Sequence, residues 1–500
     1  MQRRSLFAAF TLSAALIACS STTEPVDAGN DVSGTDAPVS DAPTVDVPVS
    51  DTSVSDAPVT MDTSVIDVVA VDAARDVIND PVDADAVADA TTDLAPFDGA
   101  ACTGTSALDL LFVIDDSASM VDNQSRLAAQ IDVLINALTR ADATGGALRD
   151  LHVGVVSTDL GTPGVTVPSC ANGDLGDDGL LNPVRYGLAM RAHQPWTTAA
   201  AGTRPARCTM DPTQYPSFLS FTAGAGDASV LRDDMVCNAV LGSGGCGIEQ
   251  PIESAYRALV SRDPRVGSRD ANAGFVRNGA VLGLFFVTDE EDGSTRDCRF
   301  AEPGYPCTDA TSVFDFLATG WASPDLNLRF YLGTPGASND PTWSLDRYMD
   351  PSRPLRGFTS LKPAHPELVV MGAIAGVPLS LPHASDGSTD WDALLGRNPD
   401  GSDGLQAMSA EGPVSMRQAN RDPMCSSRVV PACRREASTP TTACDPAAQY
   451  FAWPSRRLAQ LARRYEERYG NGVIGSICAT SYADTMAAFA ARVRRRLCAP

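Results

Sequence analysis

Five short apolar stretches constrain the fold of this chain more than any other feature of its sequence. Each is mostly apolar along its whole length and is bounded by turn residues, the pattern of a strand that is covered on both faces. Helical patterns lie between them, so the sequence predicts an α/β fold with a doubly wound, mostly parallel sheet flanked by helices. The predicted strands lie at 108–114, 151–157, 281–288, 326–332 and 368–374.

Four helices are predicted from apolar residues at helical spacing. One of them begins at Pro251, because proline suits the first position of a helix, and another stops at Gly470. The last one ends in a run of arginines, and cations favour a helix C-terminus. The predicted helices lie at about 127–138, from 251 onward, from 458 to 470 and at about 482–497.

Residues 1–18 have the features of an export signal. Two arginines precede an apolar run at 6–18 that is too short to span a bilayer. The run ends in Leu-Ile-Ala-Cys19, which resembles the bacterial lipobox, so Cys19 is the expected lipidation site and the first residue of the mature chain. A plain secretory peptide cleaved near Ala18 is the alternative. By the same resemblance, Ser20 after the cysteine favours the outer membrane.

The segment from 19 to 100 is predicted to be a disordered acidic linker. Its residues 20–100 hold seventeen Asp and one Glu against a single basic residue, Arg75, and so carry minus 17 of the net charge of minus 24. Such a chain buries too little apolar surface to offset the entropy lost on ordering. We expect a solvated spacer, with weak binding of calcium by its carboxylates as the alternative. The acidic charge argues against a nucleic-acid partner.

Cysteine usage predicts a disulfide-braced domain over 101–500. Besides Cys19 there are twelve cysteines, and no C-x-x-C pair occurs, so six disulfides are expected rather than a thiolate zinc site. Two insertions, at about 160–230 and 378–450, hold five of these cysteines and are too long for plain connections. Sequence leaves the connectivity open; the favoured pairs are Cys237 with Cys246, Cys298 with Cys307, and Cys102 with Cys498.

The first apolar stretch ends in an oxygen-rich cup. Asp115, Ser117 and Ser119 supply one carboxylate and two hydroxyls at positions i, i+2 and i+4. Ligands of open α/β sheets bind at the carboxyl ends of strands, and hard cations such as magnesium prefer oxygen ligands. The sequence therefore predicts a cation site at this edge of the sheet.

The D-x-S-x-S string follows an apolar strand and precedes an amphipathic helix, and in that context it resembles the metal-ion-dependent adhesion site of von Willebrand factor A domains. The resemblance covers roughly half of 101–500. It implies one divalent cation, Mg²⁺ or else Mn²⁺ or Ca²⁺, with an open position for a partner's carboxylate. It also implies that Asp289, in the Val-Thr-Asp turn after the stretch at 281–288, contributes to the site, usually through water.

The second loop of the family's site departs from the family pattern in this chain. Where the family has Gly-Gly-x-Thr opening a helix, residues 242–251 read Gly-Ser-Gly-Gly-Cys-Gly-Ile-Glu-Gln-Pro, without a threonine. Glu249 is the expected replacement ligand, and Ser243 or water alone are the alternatives. A glutamate would hold the ion more tightly and make it less electrophilic toward a partner's carboxylate. Asp116, Asp159 and Ser243 are candidates to support the ligands from outside, although for Asp159 a turn cap is the favoured interpretation.

The expected function is that of a lipid-anchored cell-envelope protein, periplasmic or surface-exposed. Its head would bind a divalent cation and, through the ion or the surrounding loops, a protein or a glycan. Catalysis is not expected, because the chain lacks H-E-x-x-H, G-x-S-x-G and Walker motifs and its four histidines are scattered. One alternative is a structural envelope protein with an empty cup. The other is a hydrolase of phosphoesters that holds two metals at Asp115, Asp116, Asp289, Glu290 and Asp292.

Overall fold

A computed structural model describes parts of the chain between residues 105 and 497. These are 105–139, 148–162, 170, 176–182, 208, 215–260, 272–298, 330, 342–349, 357–395, 421–422, 425–429, 432–434 and 451–497. The predicted export signal, Cys19 and the acidic linker lie outside them. Within the described residues, no helix has both the length and the apolar character needed to cross a membrane.

Six strands form a mixed, mostly parallel sheet in the order β3-β2-β1-β4-β5-β10. The edge strand β3 is antiparallel to β2, and the other neighbours are parallel. The remaining strands pair as β6 with β7 and β8 with β9 in two small sheets. In chain order the strands are β1 (Ala107–Ile114), β2 (Asp150–Ser157), β3 (Leu219–Thr222), β4 (Val281–Val287), β5 (Val369–Ala375), β6 (Arg421–Asp422), β7 (Cys425–Val429), β8 (Cys433–Arg434), β9 (Phe451–Ala452) and β10 (Gly472–Ser476).

The strand order reverses between β1 and β4. The chain first adds strands outward from β1 to β3, then returns to the other side of β1 and adds β4, β5 and β10. Ile114 pairs with Val287, so β1 and β4 end at the same level. The backbone N–H of Asp115 donates to the Val287 carbonyl at 2.9 Å. The segments that follow β1 and β4 therefore leave the sheet side by side.

Helices cover both faces of the sheet. Those on one face are α1 to α3 and α8, and those on the other are α4 to α7. Their bounds are α1 (Val121–Ala128), α2 (Ile131–Thr139), α3 (Ala228–Ala239), α4 (Pro251–Leu259), α5 (Asp346–Met349), α6 (Trp391–Leu395), α7 (Arg456–Tyr469) and α8 (Ala483–Arg494).

Alternate side chains of the central strands supply the two cores, because successive residues of a strand point to opposite faces. On one face Phe285 packs edge-on against Phe112 and Phe489, with ring centroids 5.5 and 5.0 Å apart. On the other face Leu111 and Val113 belong to the core that α4 and α7 cover. Burial on both faces explains why these strands read as continuous apolar runs.

Four of the five predicted strands are confirmed as β1, β2, β4 and β5. The stretch predicted at 326–332 lies outside the described residues except for Phe330, whose backbone is helical. Strands β3 and β10 were not predicted. The helix expected at 127–138 is two helices, α1 and α2, separated by a turn at 129–130, whereas α4, α7 and α8 lie where helices were predicted.

The predicted disulfide between Cys237 and Cys246 is wrong. Cys237 is bonded to Cys208, and Cys246 is bonded to Cys170. The eight residues between Cys237 and Cys246 do not form a simple closed loop, because Cys237 lies on α3 while the chain from 242 onward is bound to the carboxyl edge of the sheet. Closeness in sequence therefore did not bring the two sulfurs together.

The other cysteines are placed only in part. Cys433 is bonded to Cys478, a pair that was not predicted. Cys298 is disulfide-bonded, but its predicted partner Cys307 lies outside the described residues, and so do Cys102 and Cys498. The three described disulfides attach Cys170 and Cys208 of the first insertion and Cys433 of the second to the sheet and its helices.

Candidate metal site

The turn after β1 orients the Asp115 carboxylate with donors from both strand ends. Its Oδ1 accepts the Ser117 backbone N–H at 2.8 Å, and its Oδ2 accepts the Thr288 hydroxyl, which follows β4, at 2.7 Å. The side chain is fully buried, and this burial raises the pKa of Asp115. Each oxygen of a carboxylate has a second lone pair, so both can still bind a cation.

The other predicted ligands form a hydrogen-bonded chain beside Asp115. The Ser117 and Ser119 hydroxyl oxygens lie 3.1 Å apart, and the Ser119 hydroxyl donates to Asp289 Oδ1 at 3.0 Å. Ser119 is exposed, whereas Asp289 is 4% exposed and Ser117 is also buried. The structure thus brings Ser117, Ser119 and Asp289 together at the point where the strand order reverses, with solvent reaching the cup at Ser119.

Glu249 reaches the same group of carboxylates from the loop before α4. Its side chain is 1% exposed, and its Oε2 accepts the Thr158 hydroxyl at the end of β2. Its Oε1 is buried and has no hydrogen-bond partner within the described part of the chain. Burial, and then the charges of Asp115, Glu290 and Asp116, raise the pKa of Glu249 well above its usual range.

The loop from 242 to 250 is fastened to the turn after β1. Gln124 donates from Nε2 to the carbonyls of Asp115 and Gly242, each at 2.8 Å, and its Oε1 accepts the Gly242 N–H at 3.0 Å. The Asp116 carbonyl accepts the Gly245 N–H at 2.9 Å. A Cβ at position 245 would overlap the Asp116 carboxylate, so a residue other than glycine would displace either that carboxylate or the loop. Ser243 lies half-buried in the same loop.

Asp159 acts as a turn cap and also supports the loop that carries Glu249. Its Oδ1 accepts the Gly161 N–H at 2.7 Å, and its Oδ2 accepts the Cys246 N–H at 2.9 Å. Among the described residues, Asp159, Cys170 and Cys246 are the one group of three His, Cys, Asp or Glu ligand atoms within 4.8 Å of one another. The two sulfurs are joined in a disulfide and are not available as thiolates. This group therefore braces the loop.

The predicted carboxylate ligands are farther apart. No choice of one oxygen each from Asp115, Asp289 and Glu249 places all three within 4.8 Å of one another. Two oxygens on one octahedral magnesium lie no more than about 4.2 Å apart, twice the usual metal–oxygen distance. The three carboxylates as placed are therefore not a direct three-carboxylate cage.

Three residues at the site were missed by sequence reasoning: Asn123, Gln124 and Thr158. Asn123 donates to Asp289 Oδ2 at 3.3 Å and accepts the Tyr482 hydroxyl at 3.2 Å. Asn123 and Gln124 are buried on the inner face of α1, where apolar residues are expected, and polar side chains on that face were the available signal. Nothing in the sequence around Thr158 pointed to a role at the site beyond its position at the end of a predicted strand.

Two further acidic residues after β4, Glu291 and Asp292, bind helix N-termini. Glu291 accepts the backbone N–H groups of Arg456 and Arg457, at 3.1 and 3.0 Å, and burial raises its pKa to about 7. Asp292 accepts the Ile252 N–H with Oδ1 at 3.1 Å and the Arg457 Nε–H with Oδ2 at 2.8 Å. Helix N-termini favour such anions.

Comparisons of the chain with models of protein families, with curated proteins and with solved structures found no match.

Three of the four histidines are described, and each contacts a different neighbour: His152 the Phe275 carbonyl, His365 the Glu367 carboxylate and His383 the Gly387 carbonyl. None of these contacts involves a residue of the cup. The geometry at the strand ends is thus the basis for a functional proposal.

Proposed function

We propose that residues 101–500 form a von Willebrand factor A-like, doubly wound module that binds one divalent cation, Mg²⁺ or else Mn²⁺ or Ca²⁺. Through the ion or the surrounding loops, the module binds a protein or a glycan. The strand order supports this proposal, because ligands of open α/β sheets bind where the order reverses. The residues that would hold the ion follow the two strands at that reversal or face them: Asp115, Ser117, Ser119, Asp289 and Glu249.

The buried, unsatisfied Oε1 of Glu249 is the observation that carries the proposal. A buried carboxylate is costly unless it is paired, hydrogen-bonded or bound to a metal. The charged groups that act most strongly on Glu249 are themselves carboxylates, so they add to this cost. When bound, a divalent cation supplies the positive charge that offsets it.

The proposal for the rest of the chain rests on the sequence alone. Lipidation at Cys19 would anchor the protein in the cell envelope, in the outer membrane, and the acidic linker would separate the head from the lipid surface. The membrane is then one partner, through the anchor, and the protein or glycan is the other. We propose binding without turnover. A structural envelope protein with an empty cup is the main alternative.

Melting of the full-length protein with and without Mg²⁺ tests the proposal. A ligand that binds only the native state stabilises it by about 2.7 kcal/mol at a hundred times its Kd. We expect Mg²⁺ to raise the Tm of the unchanged protein and of a matched control, Asp484→Asn, which removes an exposed carboxylate on α8. Asp115→Ala should abolish the increase.

Equal melting of the unchanged protein with Mg²⁺ and with a chelator would contradict the proposal and favour the structural alternative. Turnover of a generic phosphoester by the metal-loaded protein would instead favour the two-metal hydrolase. A pull-down with the full-length protein, in the presence and absence of chelator, then isolates the metal-dependent partner.

A further inference from the structure

The loop that carries Glu249 is fixed on both sides. The Gln250 N–H donates to the Thr158 carbonyl at 3.0 Å, and the Gly293 N–H donates to the Glu249 carbonyl at 2.7 Å. These bonds attach the loop to Thr158 at the end of β2 and to the segment that follows β4. They fix the backbone of the loop, and the Glu249 side chain is buried beside it.

The Glu249 carboxylate is held as well as its backbone. The Thr158 hydroxyl donates to Oε2 and leaves Oε1 without a hydrogen bond among the described residues. The carboxylate lies close enough to Asp115 and Asp116 for their charges to act on it. The neutral Thr158 hydroxyl thus orients Oε2, while Oε1 is without a described hydrogen bond near the carboxylates of Asp115 and Asp116.

We propose, on the basis of the proposed function, that Glu249 held by Thr158 closes the coordination shell of the ion from inside the protein. The ion would then join the loops after β1, before α4 and after β4. A partner would be recognised by the loops around the cup, and the remaining positions on the ion would hold water rather than a partner's carboxylate.

The charge at the site supports this inference. Asp115 and Asp289 together balance the charge of a divalent ion, so a third carboxylate from Glu249 leaves the site with a net negative charge. Like charges at close range repel each other, and the repulsion is stronger in a partly buried site than in water. An additional carboxylate from a partner is therefore disfavoured.

Mn²⁺ bound to the full-length protein tests the inference, because water-proton relaxation reports the exchangeable waters on the ion. Electron paramagnetic resonance of free Mn²⁺ gives the number of bound ions. We expect one bound Mn²⁺, a low relaxation enhancement, and no change when acetate is added as a free carboxylate. In Glu249→Gln the enhancement per bound ion should rise, and acetate should then alter it. Glu467→Gln, the same change at an exposed residue of α7, should behave like the unchanged protein.

Thr158 provides an independent variant. A group that orients a ligand from outside typically contributes 10- to 100-fold to metal affinity, so Thr158→Val should weaken Mn²⁺ binding by roughly that factor. Thr158→Ser keeps the hydroxyl and should restore it. A high relaxation enhancement in the unchanged protein that acetate lowers, and that Glu249→Gln leaves the same, would overturn the inference. Absence of any bound Mn²⁺ would overturn the proposed function as well.

Discussion

At the scale of single residues, two glycines decide whether the loops at the carboxyl edge of the sheet fit together. A Cβ at Gly245 would overlap the Asp116 carboxylate, and one at Gly376 would overlap the Trp453 carbonyl. Trp453 in turn donates its N–H to the Asp289 carbonyl at 2.7 Å. The positions of the carboxylates at the cup thus depend on close backbone contacts that other residues would prevent.

Gly245→Ala tests this dependence. We expect the added methyl group to force the loop away from Asp116, at a cost in unfolding free energy of about 1–3 kcal/mol, typical of overpacking. The displaced loop should also reduce the Mg²⁺-dependent increase in Tm. Gly279→Ala is the control, because no atom lies within 4 Å of a Cβ at that position. Equal Tm values for the two variants would contradict the role given to Gly245.

Lys362 is the only lysine of the chain, and its amine is buried. The amine donates to the Arg277 carbonyl and lies 3.9 Å from Asp109. Burial lowers the pKa of Lys362 to about 8 from 10.5, although the charge of Asp109 opposes this shift. Between these two values the unfolded chain binds more protons than the folded one, so this group makes the protein more stable as the pH rises.

Replacement of Lys362 by methionine should remove that contribution. We expect the unfolding free energy of the unchanged protein to rise relative to that of Lys362→Met as the pH increases from about 8 to 10.5. The two pKa values set this window. Urea unfolding at a series of pH values measures it. Because other titrating groups, including buried tyrosines, are present in both proteins, only the difference is used. A difference that does not vary with pH would show that Lys362 titrates normally.

At the scale of elements, the sequence predicts the long, apolar strands and does not reveal the short ones. β1 and β4 are buried on both faces and could be recognised from composition alone. β10 has five residues, two of them glycine, and β3 is a four-residue antiparallel edge strand. The stripe at 127–138 is apolar across both α1 and α2, because a turn at 129–130 keeps the two helices on the same face of the sheet.

The end of α7 gives a prediction at this scale. Gly470 follows the helix with a left-handed backbone, φ 64°, and its N–H donates to the Glu466 carbonyl at 2.7 Å. An L-residue with a Cβ pays about 1–2 kcal/mol in this conformation, so Gly470→Ala should lower the unfolding free energy by that amount. Gly470→Asn should cost less, because asparagine tolerates the conformation better. Equal losses in chemical denaturation would argue against backbone strain as the cause.

At the scale of the whole molecule, the candidate site consists of residues far apart in sequence. The order of the strands brings Ser119 to Asp289, and Thr158 to Glu249. Motif spacing identified Asp115, Ser117 and Ser119 because they lie on one turn. Thr158 and Asn123 could not be found in this way, since their role depends on contacts across 91 and 166 positions of the chain.

The disulfides allow a further prediction at the same scale. Cys433–Cys478 joins the short strand β8 to the end of β10 across 45 positions. Removal of a native disulfide typically costs about 2–4 kcal/mol, so Cys433→Ser with Cys478→Ser should lower the Tm substantially. Melting in a non-reducing buffer measures the effect. An unchanged Tm would mean that the sheet and its helices hold this segment without the covalent bond.

The bond between Cys170 and Cys246 has a consequence for how the protein matures. Cys246 lies three residues before Glu249, and its N–H is bound to Asp159. Disulfides form and persist in oxidising compartments. A newly made chain with both thiols still reduced would lack this covalent support for the loop that carries Glu249. In the proposed function, acquisition of the ion would then follow oxidation, because the disulfide holds the loop that carries Glu249.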